Sequence, residues 1–569
     1  ILRTLLNSIL IQRDARLLNG IVVVLFVVFI IQAVVGAVQG YLVAATGERI
    51  SFDLRTTLFR HLQRLPLSFY DSRRTGELMS HVSNDVTLLQ TSLTGNILPI
   101  ASQVVVLVGS IAIVFAINWR ITLIALVVAP IAALSSSLLG RRIRRTTGGV
   151  LRGLGDAGIV LEEALSAPRV VKAFTREDYE TERFTGRMRD TLREALRRAA
   201  AQSLLGPLVG FIGFTSVIIV IWFGGHEVLT GQLTPGDLIA FIFYLFLVIG
   251  PLTALANLYS QIQAALAAAE RVFDLLDAPI EPALTETSLP ALPQVEGRVA
   301  FEHVSFTYPA PADDGTGEGA AQQARPTVLR DVTFTAAPGQ VVALVGPSGA
   351  GKTTILSLLL HLYEIDAGAI LLDGVDIRSA SLQSVREQLA IVPQEPVLFG
   401  GSILENIRYG RLDAPEEAVY AAAVAANAWE FIEQLPDGLR TVVGERGVKL
   451  SAGQRQRIAI ARALLHDPRI LLLDEATASL DNASEAVVQD ALNRLMRGRT
   501  TLVVAHRLTT VERADLILVL DDGAIVERGT HEQLLALDGL YAHLYTRSFQ
   551  DAEAADVLPN PVAPLSSER

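Results

Sequence analysis

Cysteine does not occur among the 569 residues, which excludes disulfides, thiolate metal sites and cysteine nucleophiles and leaves the redox compartment open. Lysine is nearly missing too: Lys172, Lys352 and Lys449 are 3 of 48 basic residues, the others being arginine. Charged residues make up only 19% of the chain and hydrophobic ones 50%, whereas a soluble domain carries about a quarter charged. A membrane part is therefore the first expectation. The net charge of −11 argues against a nucleic-acid partner. That average conceals a division, because residues 1–280 carry a net +5 and the remainder −16. A basic, apolar half is joined to an acidic, soluble one.

Asp, Glu, Lys and Arg are absent from five long runs: Leu17–Gly47, Val86–Trp119, Ile121–Gly140, Ala199–His226 and Leu238–Ala269. Each matches or exceeds the roughly 20 residues a helix needs to cross a bilayer, so five transmembrane helices are expected. Arg49, Arg55, Arg60, Arg64, Arg73 and Arg74 follow the first run, and fourteen basic residues from Arg141 to Arg198 follow the third. The intervening links carry Arg120 or no basic residue at all. Positive-inside bias puts the two basic segments and everything after about residue 270 in the cytoplasm. An odd span count and a start at Ile1 suggest a chain clipped after an earlier span, hence five present of an expected six. A true five-span protein is the alternative.

The segments 48–85 and 141–198 are too long for tight turns and mix helical periodicity with charge. Leu65-Pro66-Leu67-Ser68-Phe69-Tyr70 and Ala167-Pro168 interrupt them. Long helices continuing below the membrane are expected, each pair closed by a short cross-helix that presents an aromatic such as Phe69 or Phe174. Pro279, Pro282, Pro290 and Pro293 mark residues 277–297 as an extended linker. A transmembrane domain over 1–276, a nucleotide-binding domain over 298–547 and a disordered tail over 548–569 complete the expected division. A Gly/Ala-rich stretch between Pro309 and Pro326 reads as a flexible insertion.

In the acidic half, the buried-strand run Val341–Val345 leads into Gly346-Pro347-Ser348-Gly349-Ala350-Gly351-Lys352-Thr353 and an apolar helix. Gly-x4-Gly-Lys-Thr between strand and helix is a phosphate-binding loop. Its glycines let successive N–H groups and the helix N-terminus face an anion. Lys352 reaches the β- and γ-phosphates and Thr353 offers a hydroxyl to Mg²⁺; Thr354 completes the ATP-binding set. That an arginine-using chain places a lysine here fits a site wanting a compact, flexible point charge. Downstream, Ile470–Leu473 ends in Asp474 and Glu475. The first is placed to hold Mg²⁺ through water, the second to polarise the water that attacks the γ-phosphate. Between these motifs, Leu450-Ser451-Ala452-Gly453-Gln454 precedes an expected helix over 458–465 and reads either as a second anion site or as an ordinary helix cap.

The order of phosphate loop, Val392-Pro393-Gln394, Leu450–Gln454, Leu471–Glu475, Ser479-Leu480-Asp481 and Ala505-His506-Arg507 resembles the ATP-binding cassette family. Arg74-Thr75-Gly76-Glu77-Leu78 and Asn84-Asp85 in the basic half resemble its exporter-type half-transporters, including multidrug and lipid exporters. The resemblance implies a helical transmembrane domain of the type I exporter kind plus an α/β P-loop nucleotide-binding domain. It implies that Tyr308 stacks on adenine and that Gln394 links Mg²⁺ and the attacking water to the membrane domain. It also implies that Ser451 to Gln454 touch ATP held by a second subunit, Asp481 lies in a dimer-contact loop, and His506 meets the γ-phosphate. Glu445-Arg446-Gly447 resembles the segment that contacts the crossing helices in exporters. Ala452 stands where the family usually has glycine, a methyl we expect to be tolerated.

The expected activity is thus ATP-driven export or flipping of hydrophobic or amphipathic compounds, drugs or lipids, by alternating access in a dimer in the cell membrane. Its ATPase domain is cytoplasmic, and ATP and Mg²⁺ are its cofactors. A homodimer is favoured, a heterodimer with a degenerate partner being the alternative. An importer on the exporter fold and a nucleotide-gated regulator stay open as other functions.

Overall fold

The computed structural model describes residues 15–73, 75–281, 289–309, 326–444, 447, 450–474, 482–505 and 508–546. Chain contacts divide it into two units, one of residues 1–56 and 83–272, the other of 57–82 and 273–569.

The first unit is helical. It opens with α1 (Ala15–Leu62), whose end lies in the second unit, as do the short α2 (Leu67–Asp71) and α3 (Thr75–Ser80) that follow. After the π-helical turn His81–Asp85 come α4 (Val86–Ile117), α5 (Trp119–Ser166), α6 (Pro168–Ala173), α7 (Glu177–Leu229) and α8 (Pro235–Asp277). Four of the five expected uncharged runs each fall within one long helix, and the remaining one, Val86–Trp119, covers α4, the Asn118 cap and the first residue of α5. Among the described residues, Val22–Leu62, Thr75–Ile117 and Glu177–Leu229 are long and apolar enough to cross a membrane. Hydrocarbon offers no partner to a bare peptide group, so a helix is the form such a run takes. At 1.5 Å per residue, the 48 residues of α5 extend about 70 Å, more than twice a bilayer core of about 30 Å. The surplus is the expected extension beyond the apolar run. There α5 and α7 pack through small residues, with Gly153 against Thr191 and Gly149 against Glu194, and Val150, Ala157 and Val160 are buried. The two short cross-helices are present as α2 and α6.

At the other end, Asn118 caps α5 by accepting from the N–H groups of Arg120 and Ile121, and its amide donates to the buried Glu227 carboxylate. Val114, Ile121, Val220, Leu233 and Phe241 form a small core beside it. Asp85 closes the π-helical turn and accepts two hydrogen bonds from Arg271, at 3.0 Å from Nε and 2.6 Å from Nη2. Asp85→Asn removes a charge-assisted pair at a buried carboxylate, and hydrogen bonds to charged groups contribute about 1.5–3 kcal/mol. We expect a loss of that order, read as a lower unfolding midpoint in detergent, with the ATP site unaffected.

The second unit is an α/β domain. β1 (Val299–Phe306) and β2 (Leu329–Ala336) pair antiparallel. β3 (Val341–Val345) leads to α9 (Lys352–Leu359), followed by β4 (Ala367–Leu372), β5 (Val375–Asp376), α10 (Leu382–Arg386) and β6 (Leu389–Val392). A helical section, α11 (Ile403–Arg408), α12 (Glu416–Ala425), α13 (Trp429–Ile432) and α14 (Ala452–His466), precedes β7 (Ile470–Asp474). α15 (Asn482–Met496), β8 (Thr500–Val504), α16 (Leu508–Glu512), β9 (Leu516–Asp521), β10 (Ala524–Gly529) and α17 (His531–Ala536) complete the fold. One sheet has the order β2-β1-β4-β5, the other β10-β9-β3-β8-β7-β6. Within the second sheet, β9, β3, β8, β7 and β6 run parallel. Such strands are buried on both faces. Val342 and Leu344 of β3 join one core with Phe301 and Phe334, while Ala343 and Val345 join the other with Val392 and Leu473. That alternation is why these runs read as continuous apolar stretches.

Residues 57–82 are packed into this domain. Leu58, Leu62, Leu65 and Leu78 are buried, the Tyr70 hydroxyl donates to the Leu62 carbonyl, and Glu281 N–H donates to the Arg64 carbonyl at 2.8 Å. The second half of the expected linker is anchored as well, for Leu292 N–H donates to Ser384 Oγ and Leu292 and Val295 lie in the core. The expected insertion, at 310–325, and the expected tail lie outside the described residues.

Candidate nucleotide site

The phosphate loop joins β3 to α9 in a conformation only glycine allows. Gly346, Gly349 and Gly351 all have positive φ, at 155°, 83° and 97°. A Cβ on Gly351 would meet the Leu329 side chain and the Val328 carbonyl, so this position has both a dihedral and a steric reason to be glycine. Pro347, Ser348 and Ala350 complete the loop, with the Ala350 methyl buried. Lys352, the first residue of α9, is buried and folds back over the loop. Its Nζ donates to the carbonyls of Gly346 at 2.8 Å and Pro347 at 2.9 Å.

Thr353 and Asp474 arrive from different elements, α9 and the end of β7, and the Thr353 hydroxyl donates to Asp474 Oδ1 at 3.2 Å. This pair of hard oxygens at the loop mouth suits magnesium, which takes one or two protein oxygens and completes its shell with phosphate and water. The buried Thr354 fixes the other side of the site, its hydroxyl 3.0 Å from that of Tyr308. Tyr308 stands edge to face with Phe306 and with Tyr363, at centroid separations of 4.9 and 5.1 Å.

Sheet order explains why residues so distant in sequence converge. β3, β8, β7 and β6 are adjacent and parallel, so their C-terminal ends share one edge, where ligands of open α/β sheets bind. The phosphate loop follows β3, Asp474 ends β7, and the exposed Gln394 stands two residues past β6. Glu475, Asp481 and His506 lie outside the described residues, as do Glu445 and Arg446.

The signature segment is elsewhere in the unit. Here the structure corrects the expected helix over 458–465, because α14 already begins at Ala452 with Ser451 as its N-cap. Ser451 Oγ accepts from Gln454 N–H, and Gln454 Oε1 accepts from Ser451 N–H. This reciprocal capping box starts the helix six residues early. The helix-cap reading of Ser451 is the one the structure shows, and its hydroxyl proton is not used by the bond from Gln454 N–H. Gly453 is buried, Ala452 half-buried, and Leu450 packs in the core. One turn on, Gln456 Nε2 donates to the Pro393 carbonyl at 3.4 Å, tying α14 to the residue before Gln394. The roles of Gln456 and Tyr363 were not readable from the sequence, as neither belongs to a short-range pattern.

Residues 1–252 match the ABC transporter transmembrane region and residues 329–478 the ABC transporter domain. The chain is 37% identical to an ATP-dependent lipid A-core flippase of Syntrophus aciditrophicus, over 97% of this chain and 89% of that protein. It is likewise 37% identical to the ABC-type oligopeptide transporter ABCB9 of Mus musculus, over 96% of this chain and 70% of that protein. Among solved structures, that of a bacterial Atm1-family ABC exporter with ATP bound superimposes with a TM-score of 0.80 at 31% identity, covering 96% of this chain and 94% of the other. On this evidence the chain belongs to the ATP-binding cassette transporters, as an exporter-type half-transporter that couples ATP hydrolysis to transport across a membrane.

Proposed function

We propose that two copies of this chain pair head to tail in the cell membrane and export or flip amphipathic, lipid-like molecules by alternating access. The observation that carries the reading is the Lys352–Thr353–Asp474 arrangement on the C-terminal edge of the sheet, with the signature helix capped at a separate place in the same unit.

On nucleotide binding, Lys352 exchanges the Gly346 and Pro347 carbonyls for the β- and γ-phosphates, and the N–H groups of Gly346 to Thr354 cradle them. Tyr308 stacks on adenine. Thr353, Asp474 and Gln394 would hold Mg²⁺, which would supply positive charge to neutralise developing phosphate charge. Glu475 polarises the attacking water, His506 holds the γ-phosphate, and Leu450 to Gln454 of one copy close over the phosphate of the other, with Asp481 at the contact between copies. Chemistry of this kind proceeds mostly through positioning and charge stabilisation. Closure of the two copies drives the spans from inward- to outward-facing, and hydrolysis resets them.

The cargo class rests on the uncharged runs, which present apolar surface with few polar groups, and on the flippase relatives. Purified protein in vesicles, with its nucleotide domain outward, should move a fluorescent lipid A-like amphiphile between leaflets in an ATP-dependent manner. ATP hydrolysis with no ATP-dependent movement of lipid or peptide would overturn the transport reading in favour of a regulator. Movement in the opposite direction would indicate an importer.

A further inference from the structure

We infer that Tyr363 is a positioning residue that reports adenine occupancy to the crossing helix α2 through a hydrogen bond to Asp71. The inference rests on the ATP-driven reading above.

Tyr363 sits in the short segment between the phosphate helix α9 and β4. Its ring meets the Tyr308 ring edge to face, 5.1 Å between centroids at 87°, and also contacts Phe306. Its hydroxyl donates to Asp71 Oδ2 at 2.5 Å. Burial first, and then the bond to Asp71, push the phenol far above its ordinary pKa, so it stays a donor at any physiological pH. One side chain thus touches the expected adenine platform with its ring and the last residue of α2 with its oxygen.

A second arm grips the same segment. Arg386 donates from Nε to the Leu360 carbonyl at 3.1 Å and from Nη2 to the His361 carbonyl at 2.8 Å. Nη2 also donates to Glu281 at 2.7 Å, while Glu281 N–H donates to the Arg64 carbonyl. Arg64 precedes α2 and Asp71 ends it, so the segment 360–363 holds α2 from both ends. That segment directly follows α9, whose N-terminus carries the phosphate loop. It is therefore mechanically downstream of phosphate and, through the Tyr308–Tyr363 contact, of the base. The Arg386 arm runs through the backbone and is indifferent to Tyr308. Only the Tyr363–Asp71 arm distinguishes an occupied platform from an empty one.

The natural absence of cysteine makes the test direct. A fluorophore on Thr230→Cys, at the outer end of α7, reports the membrane helices, while radiolabelled ATP reports binding in the same detergent preparation. In the otherwise wild-type protein the two ATP midpoints coincide. With Tyr363→Phe, which keeps the ring, or Asp71→Leu, the ATP-binding midpoint stays within about two-fold while the amplitude of the ATP-dependent fluorophore change at saturating ATP falls about five-fold, the lower end of a typical coupling between sites. Asp71→Asn, whose amide oxygen still accepts the phenol proton, recovers most of the amplitude and serves where Asp71→Leu does not fold. An amplitude unchanged in Tyr363→Phe would reduce Tyr363 to packing and overturn the inference. A wild-type fluorophore silent to ATP would instead defeat the transport reading, and this inference with it.

Discussion

Glu475→Gln is expected to bind ATP as the unaltered chain does and to hydrolyse it about 10²–10⁴-fold more slowly, the range in which a positioned general base contributes. The substitution keeps size and hydrogen-bonding capacity but removes the proton acceptor. Glu475 follows Asp474, whose carboxylate already touches Thr353 at the mouth of the phosphate loop. On the proposed function, Asp474 serves that hydroxyl and the ion, and Glu475 polarises the water. Phosphate binding depends on Lys352 and the loop N–H groups, none of which the change alters, so the binding midpoint should move by less than about two-fold. Single-turnover hydrolysis and equilibrium ATP binding, measured on one preparation, separate the two effects. Residual steady-state turnover above about a tenth of the starting rate would remove Glu475 from the role of base.

What was legible in the sequence is what is local in the chain. The phosphate loop is one uninterrupted strand–loop–helix, and its glycines and its lysine act within a few residues of one another. The membrane helices announce themselves because a long stretch without charge has one solution in hydrocarbon. Even the cross-helices could be read, since Pro66 and Pro168 each stand where a helix has to start afresh. The early start of α14 was also present in the sequence, as Ser451 followed three residues later by Gln454, but the small residues between them resemble a loop. Capping outweighs the weak helix propensity of Gly453, and the helix begins at Ala452.

Other features depend on which distant elements meet. Asp71 and Tyr363 are 292 residues apart, and Asp85 and Arg271 are 186 apart; no periodicity links either pair. Residues 57–82 read as the base of a membrane hairpin, yet they pack with the nucleotide domain, because Leu58, Leu62, Leu65 and Leu78 are buried. An apolar face on a helix is visible in sequence, whereas the surface that covers it is a property of the assembled fold.

The second large effect is complementation between two inactive variants. The side chains of Ser451 and Gln454 each accept from the other's backbone N–H, while Lys352 Nζ donates to carbonyls of its own loop. If one copy's signature completes the other copy's phosphate loop, Lys352→Ala and Ser451→Arg each inactivate both sites of a homodimer. The first removes the ammonium that neutralises phosphate charge, and the second puts a bulky side chain where the γ-phosphate must fit. Loss of one such electrostatic element costs about 10²–10³ in turnover, so each variant alone should fall to about 1% or less. Co-expressed in equal amounts with random pairing, about half of the dimers contain one chain of each kind. In these, one of the two sites joins an intact Lys352 to an intact Ser451, so about a quarter of all sites recover. Even if one working site per dimer turns over several times more slowly than two, the mixture should exceed either variant by about ten-fold. Turnover no greater than the average of the two variants would mean that each chain builds its site alone. Recovery would tie the acidic, soluble half of this chain to a second copy of itself, and would do so through chemistry rather than co-purification.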